Sequence, residues 1–287
     1  MTSRQEDAVR SGIPPPAGSA GDDRREHELL LAIANYLQSE GYFGIDPRVF
    51  PILDSLESSR AQIASIEEMV DKMISVRLRN IADSVYHGMM RRGRTRNFTD
   101  VITSLGMRPA KILIVTMALF SRLGLEHVRL EMESFAISLF ARLIAEQMGF
   151  DQSSRENAEL GGLFVNLGKV VIAAYQSRFG TPIEPAFVDK YHLHFASEII
   201  STFGLPAYLW ELIQERNLAL TKRGFSVAGV VFLARSAVEK MLGETGTIEI
   251  KAPMPIIADN LEVTLGSIIS EHFALIGLGK FVKVVPV

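Results

Sequence analysis

Gly161-Gly162-Leu163-Phe164-Val165-Asn166-Leu167-Gly168-Lys169-Val170-Val171 lies inside a longer apolar segment, Ala158 to Tyr175, that reads as a helix. Its polar side chains are Asn166 and Lys169 alone. Gly161, Gly162 and Gly168 leave the backbone bare, which allows another element to approach closely. A stretch so apolar, with glycines at such spacing, belongs in a helical core.

Helical periodicity extends outward in both directions. Upstream, Phe140, Leu143, Ile144 and Met148 make one stripe before Gly149, and Pro109 suits the first turn of a helix from Ala110 to Leu123. Ile66, Met69, Val70, Met73 and Ile74 make another stripe, with Ser65 and Glu68 at capping-box spacing. Leu29, Ile33, Tyr36 and Leu37 share a face before the stop at Gly41 to Pro47, where Asp46 and Pro47 suit the start of the next helix. Downstream, Leu209, Leu212 and Ile213 follow Pro206, and Val230, Leu233, Ala234, Ala237, Val238 and Met241 make a third strong stripe. The texture changes after Gly243. Thr247 to Lys251 alternates apolar and polar residues, and Phe281 to Val287 is β-branched; both read as short strands of a hairpin or clasp.

Composition bounds the function. Among 287 residues, 47% are hydrophobic, enough for a substantial core. The net charge of −3 makes bulk nucleic-acid binding unlike this chain, since that needs a strong basic excess. The absence of cysteine removes disulfides, thiolate zinc sites and a thiol nucleophile together. Residues 1–25, rich in Ser, Gly, Pro and charge, read as a disordered tail without a secretory core. The apolar run Ile112 to Phe120 is too short for a bilayer span of about 20 residues, so a cytoplasmic location without a membrane span is expected.

Three segments, taken in order, resemble one family. Asp83 to Gly88 followed by Phe98 to Gly106 is similar to a helix end and an "Ile…Ala-Ile…Leu-Gly" helix. The stretch Gly161 to Val171 looks like "Gly-Leu-Leu-His-Asp-Ile-Gly-Lys". His194-Phe195-Ala196-Ser197-Glu198-Ile199 with Phe203-Gly204-Leu205-Pro206 resembles "His-Ala-Glu-Val-Gly…Trp-Leu-Pro". Together they resemble the HDOD (HD-related output domain) family over residues 45–242. The resemblance implies an all-α fold: an HD-like helical bundle (125–243) with an N-terminal helical subdomain (26–124), followed here by a short β-containing tail (244–287).

The departures from the family pattern carry the functional expectation. HD hydrolases hold metal through a histidine, an adjacent His-Asp pair and a later aspartate, because imidazole and carboxylate ligands hold a cation that activates water. Here the His-Asp pair aligns with Val165-Asn166, the earlier histidine with Glu133, and a later His-His pair with Arg216-Asn217. His194, Gly168 and Lys169 persist. Glu133, Asn166, Lys169, His194, Arg216 and Asn217 are therefore the candidate vestigial pocket, in which Glu133 would pair with Arg216. His192 and His194 would diverge on a helix, so a His-x-His metal pair is not expected. Arg91, Arg92, Arg94 and Arg96 form the densest charge cluster, a solvated loop or an anion-binding loop. Trp210 and Met89-Met90 read as core or interface residues.

The resemblance implies a bacterial signalling domain that is not an enzyme, takes no metal or other cofactor and acts through a protein partner. Two alternatives stay open: a sensor for a nucleotide or other anionic ligand in the vestigial pocket, and a residual metal-dependent phosphohydrolase using Glu133, Asn166 and His194.

Overall fold

The computed structural model describes residues 20–39, 43, 45–55, 58–82, 97–214 and 226–241. In the C-terminal region it describes 248–252, 255–258, 261–264, 270, 274 and 279–286. The chain divides between Ser39 and Glu40 into two compact units. The first contains one described helix, α1 (Ala20–Ser39). It starts within the stretch expected to be a tail up to residue 25, and Arg24 bonds Glu28 one turn on at 3.0 Å. Residues 1–19 lie outside the described residues.

The second unit is a helical bundle. It opens with α2 (Val49–Asp54), α3 (Arg60–Met69) and α4 (Lys72–Ala82). The stripe expected as one helix through Ile74 is two. Val70 turns extended, and Asp71 restarts the chain: its Oδ1 accepts the Met73 amide at 2.7 Å and its carbonyl accepts the Ser75 amide at 3.1 Å. The capping box is likewise not at Ser65. Ser59 and Gln62 form it, and Ser65 lies inside the helix, donating its hydroxyl to the Gln62 carbonyl.

Next come α5 (Phe98–Leu105) and α6 (Met107–Phe120), joined at Gly106, whose φ of 88° suits a residue without a β-carbon. Pro109 sits in the first turn of α6, as expected. Every residue from Ala110 to Phe120 is buried, so α6 is the central rod of the unit. The rest of the bundle is α7 (Val128–Gln147), α8 (Gln152–Phe164), α9 (Leu167–Phe179), α10 (Pro185–Thr202), α11 (Tyr208–Ile213) and α12 (Val227–Met241). α8 packs along α7, α9 along α10, and α12 covers both α7 and α8. The boundary drawn at 124/125 falls within this second unit, just ahead of α7.

The single helix expected from Ala158 to Tyr175 is α8 and α9, separated by a turn at Val165-Asn166. The apolar span Gln152–Phe179 runs 28 residues across that turn, and 83% of its most apolar window is buried. It is the interior of the bundle.

Strands occur after residue 247. β1 (Ile248–Ala252) pairs in parallel with β4 (Val282–Pro286), and β2 (Pro255–Ala258) pairs antiparallel with β3 (Leu261–Thr264). The two expected strands therefore pair with each other, but as a crossover pair rather than a hairpin. The hairpin is a separate one between them. β1 runs beside α12 and β2 beside α7.

A polar joint ties the early helices to the late ones. Lys111 of α6 is only 4% exposed, yet its Nζ donates to both Asp54 carboxylate oxygens at 2.8 and 2.9 Å and to the Gly204 carbonyl at 3.0 Å. The same ammonium lies 5.6 Å from the centre of the Phe50 ring. Phe50 and Phe43 both pack on Phe203. A buried ammonium is costly unless it is paired, and here three oxygens satisfy it.

Candidate functional site

The turn at Val165-Asn166 is held by the helices that cross on either side of it. A β-carbon on Gly162 would lie 2.7 Å from the Ser138 Cα, so α8 meets α7 backbone to backbone. Ser138 donates to the Glu159 carbonyl at 2.9 Å across the same crossing. One turn further along α7, Arg142, 2% exposed, donates to the Glu159 carboxylate at 2.7 Å. On the other face, a β-carbon on Gly161 would meet Leu212 of α11 at 2.7 Å and Val231 of α12 at 3.2 Å. At Gly168 it would lie 1.7 Å from the His192 carbonyl oxygen, inside any permissible contact. The three glycines are thus the crossing points of α8 and α9 with four other helices.

Closed in this way, Val165 is 8% and Asn166 3% exposed. Asn166 precedes α9 and its carbonyl accepts the Val170 amide at 2.9 Å. Its side-chain Nδ2 is buried without a hydrogen-bond partner. Lys169, one turn into α9, is half-buried and lies near His192. The His192 Nδ1 is 3.1 Å from the carbonyl oxygens of Val188 and Asp189. Burial first, then the Lys169 charge, holds the His192 pKa below its ordinary value, with Arg235 adding in the same sense.

Glu133 takes the Arg129 guanidinium at 2.8 Å, a neighbour on its own helix. Arg216 and Asn217 lie outside the described residues, as do Arg91, Arg92, Arg94, Arg96 and Met89-Met90. His194 is part-buried with its ring edge on Phe195 at 5.3 Å. It shares α10 with His192 two residues away, so the two rings diverge. Among the described residues, no three His, Asp or Glu side chains gather into a metal-binding group. The donor set that an HD metal centre needs is not among them: valine has no lone pair to offer, and the neighbouring amide is enclosed.

Sequence reading missed the buried charges. Lys111 and Arg142 are set in apolar runs, where a lone charge signals that a partner must exist, whereas Glu131 alternates with Arg129 and Glu133 and gives no such signal. Nothing local names the partner: Lys111 is 57 residues from Asp54, and Arg77 is 54 from Glu131.

Bundled helices crossing on glycines, with a strained-free turn where the metal pair would stand, define an HD-like helical fold. The chain matches the HDOD domain family over residues 46–217, more than half its length, and it belongs to that family. No curated protein matches it. Among solved structures it is similar to the "Putative metal-dependent phosphohydrolase" of Shewanella amazonensis SB2B, at 17% identity and a TM-score of 0.54, covering 76% of this chain and 85% of that one. An HDOD domain protein with unknown function from Geobacter sulfurreducens is 17% identical over 87% of this chain and 88% of its own, with a TM-score of 0.46. At such identity the first likeness speaks for the fold alone.

Proposed function

We propose that this HDOD domain is a non-catalytic regulatory module of the bacterial cytoplasm that works by contact with a protein partner. One observation carries the reading. Where the family's hydrolytic relatives place a His-Asp pair, this chain has a buried valine and a buried amide that serve as the turn between two core helices. The remaining elements of the motif, Gly168 and Lys169, have work unrelated to metal: the glycine admits α10, and the lysine lies beside His192.

Elemental analysis of the purified protein, with phosphodiesterase assays on bis(p-nitrophenyl) phosphate and cyclic dinucleotides, tests the first half of this proposal. Neither stoichiometric iron, manganese nor zinc, nor turnover above a boiled control, is the expected result. Bound metal together with turnover that N166A abolishes would overturn it. In-cell cross-linking followed by purification tests the second half, with a stoichiometric partner expected.

The anion-sensor reading keeps one specific support, the Lys169 charge that acts on His192; Arg235, which acts in the same sense, is paired with Glu239 at 2.9 Å. A thermal-shift screen with nucleoside triphosphates and cyclic dinucleotides decides it, since a ligand that binds only the folded state raises its melting temperature.

A further inference from the structure

The strands after residue 247 leave backbone hydrogen-bonding capacity unused. Among the described residues β1 pairs with β4 alone, in a sheet of two strands. Successive residues of a paired strand turn their N–H and C=O groups alternately toward the neighbour and away from it. Every second residue of β1 therefore directs its backbone groups to the edge that β4 does not occupy. α12 runs beside β1, but its backbone groups are bonded within the helix. A sheet of two strands is marginal on its own, and a third strand is what lends it stability.

The two strands are not equal as edges. β4 ends at Pro286, in register with Ala252. Proline brings no N–H and belongs on the outer strand of a sheet. β1 has no proline, and it alternates Ile248 and Ile250 with Glu249 and Lys251. β1 is the strand open to extension.

The sequence of β1 selects what extends it. A strand that pairs with its own copy about a two-fold axis pairs antiparallel, and opposed residues must both turn their backbone groups inward or both outward. That direction alternates along the strand, so the axis must pass a residue and not the link between two. A centre at Glu249 sets glutamate opposite glutamate, and a centre at Lys251 sets lysine opposite lysine; like charges directly opposed are destabilising. A centre at Ile250 sets Glu249 opposite Lys251 on both sides of the axis, Ile248 opposite Ala252, and Ile250 opposite itself. It alone brings all five residues of the strand into register.

We infer that β1 is a seam between two copies of this chain, paired antiparallel and centred on Ile250. The product is a four-stranded sheet in the order β4-β1-β1-β4, with the proline-bearing strand outermost on each side. The charge pattern is what commits the seam to a second copy: β1 carries, in one strand, both the acid and the base that its own reversed image requires. The seam shares no residue with the Val165-Asn166 turn, so it stands or falls apart from the proposed loss of metal chemistry.

The full chain contains no cysteine, so E249C, I250C and K251C each introduce a single thiol. Directly opposed residues of an antiparallel pair have Cα atoms about 4.5–5.5 Å apart, within disulfide range. Residues two positions out of register are about 7–8 Å apart, beyond it. Under mild oxidation I250C is expected to give a linked dimer, E249C and K251C alone to stay unlinked, and a mixture of E249C with K251C to link. Sedimentation under reducing conditions reads the charges. The parent chain is expected to dimerise reversibly in the micromolar range, as suits so short a seam. E249K opposes base to base at both pairs and K251E acid to acid, and each is expected to weaken self-association about tenfold or more. Mixing the two variants restores association, because every pair across the seam is then acid against base. K251E, in register with Val285 inside the chain, leaves the charges of the β1–β4 pair untouched. Melting followed by circular dichroism verifies that each variant is folded. A parent chain that stays monomeric, I250C that stays unlinked, equal linking at all three positions, or a mixture of the charge variants that does not associate would each overturn the seam.

Discussion

G168A would place a methyl group 1.7 Å from the His192 carbonyl oxygen, so α9 and α10 must separate. Overpacking of this kind costs about 1–3 kcal/mol or more, and chemical denaturation should show a loss at or above the top of that range. His192 itself should leave a mark on the pH dependence of stability. Its folded pKa lies below the ordinary 6.5, so the unfolded chain takes the proton more readily. The stabilisation from the neutral ring is whole above pH 6.5 and fades as pH falls through that value toward the folded pKa. H192Q should flatten the decline in denaturation midpoint between about pH 7.5 and 5, measured against the parent chain. Sequence reading picked out Gly161, Gly162 and Gly168 as points of close approach, because a glycine in an apolar helix has little other use. It took His194 for the histidine of interest, while the structure places His192 beside Lys169. Only the rotation of α10 distinguishes them, and that rotation is set by packing against α9.

Among elements, the crossing of α7 and α8 rests on a charge pair that neither helix reveals alone. Arg142 is almost wholly enclosed and pairs with Glu159. E159L takes the Glu159 carboxylate from a buried guanidinium and is expected to cost about 3–5 kcal/mol, whereas R142M/E159L, which removes both charges, should cost clearly less than E159L alone. A double-mutant cycle by urea denaturation measures this. The helices themselves were legible from their apolar stripes, but two of their breaks were not. The Asp71 restart and the Val165-Asn166 turn interrupt stripes whose periodicity runs straight through. An aspartate one residue after an apolar run is a weak stop signal, and Val-Asn is none. Both breaks depend on what the neighbouring helices demand. The strands at Ile248–Ala252 and Val282–Pro286 were visible as alternation and β-branching, but their parallel pairing was not, since nothing in either strand states its direction.

At the scale of the whole second unit, the Lys111 joint connects helices that the chain separates by 93 residues, from α6 to Gly204. K111M keeps the apolar stem and removes the three polar contacts. Hydrogen exchange should then quicken in α2 and at the α10–α11 turn together, while α7 and α8 keep their protection; exchange confined to one of the two places would mean the joint does not couple them. The overall bundle could be anticipated from the order of three short motifs, and the joint could not, because it is made by one lysine in an otherwise apolar helix. The closed turn at Val165-Asn166 has a further meaning for the lineage. Writing His-Asp back into those two positions would set an imidazole and a carboxylate into space that is now 8% and 3% exposed, with no metal-binding group of three such side chains gathered among the described residues. The restored letters would meet a fold that has closed behind them. On the reading proposed above, the turn acts as a ratchet: its packing, and not the two letters alone, would have to change before a metal pair could stand there.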